Sequence, residues 1–134
     1  MLERLGIAVA VLAMIYFGYQ LVRCYSLWRA AKQAPADPLL KNLRRGIPAV
    51  LYFTTPTCAP CKYAQRPALH KLQTQLGDSV QVIQIDATED PDAASRWNVQ
   101  TVPTTYILNG DGKPEHVNHG VADINKLMQQ IKIA

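Results

Sequence analysis

The chain has 134 residues, 49% of them apolar and 18% charged, which suits one small packed domain with an accessory segment. Its three cysteines, two of them in one motif, exclude a disulfide-stapled secreted scaffold. The net charge of +4 comes mostly from a cluster just after the first apolar run, so it reads as a topology signal or a contact with anionic lipid, not as a nucleic-acid surface.

That first run, Leu5 to Val22, is 18 residues without a charge. At ~1.5 Å per residue it covers roughly 27 Å, close to the hydrocarbon thickness of a bilayer. Tyr16, Tyr19, Tyr25 and Trp28 gather toward its C-terminal side, where interfacial aromatics sit. A membrane anchor through residues 5–22 is expected. A signal peptide is the competing reading, weakened by the length of the run and by the distance of the small-residue stretch Ala34-Pro35-Ala36 beyond it. Glu3 and Arg4 precede the run, whereas Arg23, Arg29 and Lys32, then Lys41, Arg44 and Arg45, follow it. The positive-inside bias places the rest of the chain on the cytoplasmic face. Cys24, at the membrane boundary, is open to acylation or to an intersubunit bridge, and more simply is an interfacial cysteine packed among its neighbours.

Ala30 to Pro38 has two prolines and no apolar periodicity and reads as a short connector. Leu39, Leu40 and Leu43 suggest one or two helical turns before Gly46 and Pro48 break them. The chain thus divides into an anchor with its juxtamembrane segment (residues 1–30), a linker with a short helix (31–46) and a folded domain (47–134). Within the domain, Ala49 to Thr54 reads as a strand buried on both faces. Lys62 to Leu76 reads as a helix that Pro67 should kink, with Gly77-Asp78 as its stop. Val80, Val82, Ile83 and Ile85 make a second strand, ended by Asp86. Asp90 to Trp97 is a short helix with Asp90 as cap and Pro91 in its first turn. Thr104 to Leu108 is a third strand, Asn109-Gly110-Asp111-Gly112 a hairpin signal, and Glu115 to Asn118 the returning strand. A last helix spans Ala122 to Ile133, with Ile124, Leu127, Met128 and Ile131 on one face. The order βαβαββα predicts an α/β three-layer sandwich, a mixed sheet with helices on both faces, preceded by one transmembrane helix.

The chemistry sits at Cys58-Ala59-Pro60-Cys61, directly after the first strand of the domain. Cys58 falls at the first turn of the following helix, where unpaired N–H groups and the positive dipole end favour a thiolate. The spacing lets Cys61 attack a mixed disulfide formed at Cys58. This is thiol–disulfide exchange chemistry.

These residues, with Lys62, the element Val102-Pro103-Thr104 some forty positions on, Asn109-Gly110 and Gly120, resemble the thioredoxin superfamily from about Pro48 to the C-terminus. The resemblance implies that the Val102–Pro103 bond is cis and stands opposite the two cysteines. It implies that Val102 offers its backbone to an extended substrate, while Pro103, lacking an N–H, leaves the sulfurs unencumbered. Cys58 would be the attacking thiolate, with a pKa in the range of roughly 3.5–7.5 seen in such motifs against about 8.5 for a free cysteine. Cys61 would resolve the mixed disulfide and Pro60 would restrain the loop. The Ala-Pro order resembles thioredoxin's Gly-Pro and favours a reductant of protein disulfides, recharged by a thiol reductant, with no bound cofactor. Lys62 adds at most a modest electrostatic push.

The chain also departs from the family. Thr57 stands where thioredoxins usually carry Trp, beside the substrate site. Tyr52 aligns with their buried aspartate beneath the second cysteine, and Val82 with the lysine near it. Trp97 is a candidate for lining the substrate groove or for a core role. The family's first strand is missing or reduced to Leu39–Leu43. These departures leave open a second function, an accessory or assembly subunit of a membrane complex with little turnover, and a third, the same enzyme with reversed topology. His70, His116 and His119 lie too far along the sequence from the cysteines to complete a tetrahedral metal site, so no metal is expected.

Overall fold

The apolar N-terminal run folds into the first part of one unbroken helix, α1 (Leu2–Gln33). In the computed structural model, which describes residues 1–33 and 37–131 and only the backbone of Gln33, this helix is long and apolar enough to cross a membrane. Every residue from Met1 to Tyr19 is exposed. The last turns behave differently: Ser26 and Ala30 are buried, and Leu27 packs against the core. Ala30, expected to open a connector, is therefore helical and inside the domain. Arg29, Ala30, Ala31 and Lys32 are good helix formers, and nothing interrupts them before the prolines. The expected stretch Ala34-Pro35-Ala36 and the end of the last helix at residues 132 and 133 lie outside the described residues.

Asp37 opens the next segment as the N-cap of a single 3₁₀ turn, Pro38–Leu40, accepting from the Leu39 N–H at 2.9 Å. The chain then enters the sheet: β1 (Ala49–Thr54), β2 (Gln81–Asp86), β3 (Thr104–Leu108) and β4 (Pro114–His119). Their spatial order is β2-β1-β3-β4, with β1 and β2 parallel and the other neighbours antiparallel. All six residues of β1 are buried, as a central strand covered on both faces requires. Among the described residues no strand precedes β1. At the hairpin, Gly110 lies so close to Gly46 that an added Cβ would come within 3.0 Å of its backbone, and the Gly46 N–H donates to the Gly110 carbonyl at 2.8 Å.

Helices cover both faces. On one, Val50, Tyr52 and Ile107 of the sheet meet Leu69 and Leu72 of α2 (Arg66–Leu76) and Leu127 of α4 (Ile124–Gln130). On the other, Leu51, Phe53, Tyr106 and Val117 meet α3 (Pro91–Arg96), Trp97 and the C-terminal turns of α1. The α4 helix begins two residues later than expected, because Asp123 caps it by accepting from the Lys126 N–H at 2.8 Å. Met128 points to solvent, not to the core face assigned to it.

The α3-side face holds two polar knots. Buried Asp37 accepts from the Trp97 indole at 2.8 Å and from Arg96 at 3.1 Å, tying the start of the domain to the end of α3. Tyr106 donates to the Trp97 carbonyl at 2.6 Å and bonds to Ser26 of α1, while Asn98 donates to the Ser26 hydroxyl at 3.5 Å. The Tyr106 phenol is pushed up to about 12 by burial.

Candidate active site

β1 ends at Thr54, and Thr55, Pro56 and Thr57 carry the chain to Cys58. The Cys58 N–H donates to the Thr55 carbonyl at 3.3 Å, a turn that hands the chain to the next helix. Cys58 and Cys61 are joined by a disulfide with Cα atoms 5.3 Å apart. Cys58 is half-buried and Cys61 is 1% exposed, so only one sulfur is within reach of a partner. The Cys61 N–H points at the Cys58 sulfur at 3.1 Å. In the dithiol state such a donor favours a thiolate at Cys58 over one at Cys61.

The helix that follows does not start as an α-helix. Cys61–Gln65 forms one π-helical turn, in which the Arg66 N–H reaches back five residues to the Cys61 carbonyl. The cause is Pro67. It has no N–H for the residue four positions earlier, and its ring would crowd that carbonyl. Widening the preceding turn removes the conflict and places Pro67 in the first turn of α2, where proline is tolerated. The expected kink is thus absorbed into the turn that carries the second cysteine.

The partner strand supplies the other wall. Phe53 pairs with Thr104, so the residue before β3 stands beside the end of β1 that leads to Cys58. That residue is Pro103, buried, and the Val102–Pro103 peptide is cis. Cys58 and Val102 pack against the same cluster of buried residues, which includes Cys61. Beyond β4, Gly120 takes a φ of +103°, open to glycine at little cost, and turns the chain back over the site. A buried glutamine holds the returning loop: Gln65 donates to the Ala122 carbonyl at 3.1 Å and accepts from its N–H at 2.9 Å. Beneath Cys61, the Tyr52 hydroxyl donates to the Cys61 carbonyl at 3.3 Å.

A family model described as Thioredoxin matches residues 37–133. The chain belongs to the thioredoxin family. It is 35% identical over 98 residues to thioredoxin Y, a chloroplastic protein of Oryza sativa subsp. japonica, covering 73% of this chain but 56% of that relative. It is 30% identical over 86 residues to a thioredoxin-like protein of Synechocystis, covering 64% of this chain and 80% of that one. Among solved structures, oxidised mitochondrial thioredoxin 3 of Saccharomyces cerevisiae superposes with a TM-score of 0.56 at 30% identity, over 68% of this chain and 79% of that one. The chain spans little more than half the length of the first of these relatives.

The protein is thus a thioredoxin-like redox protein with a disulfide-capable CxxC. Within this thioredoxin fold the structure brings together Thr57, Cys58, Pro60, Cys61, Tyr52, Val102 and Pro103 at one end of the sheet. Lys62 is exposed, its ammonium 5.5 Å from the centroid of the Tyr63 ring. Trp97 is elsewhere. It is 1% exposed in the cluster on the opposite face, bound to Asp37, and lines no groove near the cysteines. Sequence reasoning missed Gln65, although its position four residues after Cys61 puts it on the same helical face, where a polar side chain needs a partner. It also missed Asp37, whose role is invisible without the fold. Among the described residues, no three His, Cys, Asp or Glu side chains converge to hold a metal ion.

Proposed function

We propose that this protein is a membrane-tethered thiol–disulfide oxidoreductase that reduces protein disulfides through a Cys58/Cys61 dithiol–disulfide cycle. The observation that carries this reading is the Cys58–Cys61 bond at the head of a helix, beside the cis Val102–Pro103 peptide. In the reduced protein the Cys58 thiolate attacks one sulfur of a substrate disulfide and displaces the other as a thiolate. Cys61 then loses its proton and attacks the Cys58 sulfur of the mixed disulfide, releasing the second substrate sulfur and closing the Cys58–Cys61 bond. Two electrons and two protons pass to the substrate. A dithiol reductant returns them by the same steps in reverse. Thr57 and the backbone of Val102 flank the extended substrate, Pro60 stiffens the loop, and the Tyr52 hydroxyl fixes the Cys61 carbonyl.

Retention of the anchor is supported by the last turns of α1. Ser26 and Ala30 belong to the packed domain, so removing the helix as a leader would strip part of the core. The basic residues after Val22 favour the cytoplasmic face. The full chain in vesicles should reduce insulin disulfides in the presence of a dithiol, and Cys58→Ser should fall to the uncatalysed rate. Equal rates in the two would end this reading. An impermeant thiol reagent applied to intact cells should leave Cys58 unlabelled.

One observation favours a second reading, a subunit of a membrane complex that keeps the fold with little turnover. Under Cys61 stands a phenol committed to a carbonyl, where a carboxylate would accept the thiol proton. In that case wild-type insulin reduction stays near background, and the protein copurifies with partners in mild detergent.

A further inference from the structure

The direction in which α1 crosses the domain fixes where the redox site lies relative to the anchor. Three levels of the sheet mark this. At one end, β3 and β4 pair Thr104 with His119 beside Phe53, the end from which the chain passes to Cys58. At mid-sheet stands Tyr106, opposite Val117. At the other end, Leu108 pairs with Ala49 and leads into the Gly110–Gly112 hairpin.

The helix packs on β4 and meets these levels in order. Arg23 lies near enough to His119 for its cation to act there, reinforcing burial in lowering the imidazole's pKa. Ser26 bonds to Tyr106. Ala31 shares a cavity wall with Gly110, Asp111 and Gly112 at the far end. The lengths agree: eight helical residues rise about 12 Å, and a five-residue strand spans about 16 Å. The numbering of α1 therefore runs from the cysteine end toward the hairpin end. Its apolar portion, Leu5–Val22, projects past the end that carries Cys58.

The apolar run stops at Val22, one residue before Arg23. With that run in a bilayer, the sheet end that carries the redox loop is level with the edge of the hydrocarbon. The headgroup layer, roughly 5–8 Å deep on each side, then meets the loop itself. The composition of that surface fits. Between Thr55 and Arg66, and again from His119 to Ala122, there is no acidic residue. Tyr63 is 75% and Val121 45% exposed, with Lys62 beside Tyr63. Aromatic, apolar and basic side chains are those a headgroup layer accepts. The acidic group Asp86, Glu89, Asp90 and Asp92 follows β2, whose last residue pairs with Thr54, so it shares the cysteine end of the sheet and lies at the edge across β1 and β3 from β4.

We infer that the cysteine pair faces the bilayer surface and acts on disulfides in juxtamembrane segments of integral membrane proteins, reducing them within the headgroup layer. This rests on the reductase reading above and narrows its substrate class. The exchange is the same Cys58/Cys61 cycle, with the substrate's disulfide taking two electrons and two protons from the dithiol and a soluble dithiol restoring them.

Two measurements on the full chain in vesicles of phosphatidylcholine with a minority of phosphatidylglycerol test this. In a background of Cys24→Ser, Cys58→Ser and Cys61→Ser, a fluorophore is placed at Thr57→Cys or at Asp111→Cys and exposed to lipids bearing a headgroup nitroxide. Severalfold stronger quenching at position 57 is expected; equal quenching, or stronger quenching at 111, overturns the inference. In the second, the reduced wild-type protein meets a single-span peptide whose looped disulfide lies either next to the span or at the end of a long flexible tether. The proximal disulfide should be reduced faster by on the order of tenfold, since the shared bilayer holds it at high effective concentration only there. Equal rates, or a faster tethered one, overturn the orientation but keep the reductase. Failure to reduce either disulfide or insulin, with Cys58→Ser indistinguishable from wild type, overturns the reductase reading itself.

Discussion

Two sulfur atoms with different surroundings divide the labour at the site. Cys58 is half-buried and receives the Cys61 N–H; Cys61 is enclosed, with its carbonyl held by both Arg66 and Tyr52. Cys61→Ser should therefore leave Cys58 able to attack and unable to release, so a disulfide substrate becomes covalently trapped and is recovered on non-reducing gels. Cys58→Ser should trap nothing. The double hold on the Cys61 carbonyl also sets the size of a second effect. Tyr52→Phe removes one of two donors without stranding the acceptor, so the loss is that of a single net hydrogen bond, about 0.5–1.5 kcal/mol in chemical denaturation. A loss beyond about 3 kcal/mol would mean that the phenol does more than fix this carbonyl.

At the scale of elements, much of the site could be read directly from the residues. An uninterrupted apolar run, a polar turn and the CxxC spacing define β1 and the head of α2, and the Asn-Gly hairpin sets β3 against β4. The register then brings Pro103 to the cysteines. What stayed hidden has physical causes. Trp97 is near Pro103 in sequence, but α3 lies across the opposite face, and proximity along a chain says nothing about which side of a sheet is reached. The end of α1 was unreadable because the stretch 23–33 mixes charged, polar and small residues, so Ser26, Leu27 and Ala30 leave only a narrow stripe with no clear apolar period. Ser26 and Ala30 carry the contact through smallness. The burial of Tyr106 that results has a pH signature. The folded phenol titrates at about 12 because burial disfavours its anion, whereas an unfolded tyrosine titrates near 10. Between those values the unfolded chain has released a proton that the folded one keeps. Stability should thus be level below pH ~10 and fall by about 2–3 kcal/mol as pH rises to ~12. Tyr106→Phe should lower stability at neutral pH by about 1–2 kcal/mol and flatten this alkaline slope, as read from denaturant midpoints across the range. An unchanged slope would assign the alkaline loss to another group.

For the whole molecule, α1 is two things in one continuous rod. Residues before Gln20 are exposed; from Arg23 onward the same helix covers the β4 side of the Tyr106 face from one end of the sheet to the other. The apolar part of α1 continues without a break into the part packed on the domain, so the orientation of the one dictates that of the other. The division predicts how truncation should behave. Removing residues 1–22 takes away surface that is exposed from Met1 to Tyr19 and mostly apolar, so the remaining chain should fold, stay soluble, and unfold at a denaturant concentration close to that of the full protein in detergent. Removing residues 1–33 also takes away Ser26, Leu27 and Ala30. Tyr106 then loses a hydrogen-bonding neighbour and Val117 loses its cover. Uncovering a partly buried leucine and its surroundings costs about 1.5–3 kcal/mol, and the lost polar contact about one more. The shorter fragment should therefore be less stable by about 2.5–4 kcal/mol, a large share of what a domain of this size has to spare. Matching urea midpoints for the two fragments would show that α1 merely rests on the sheet, and would remove the rigid link on which the proposed orientation of the cysteine pair rests.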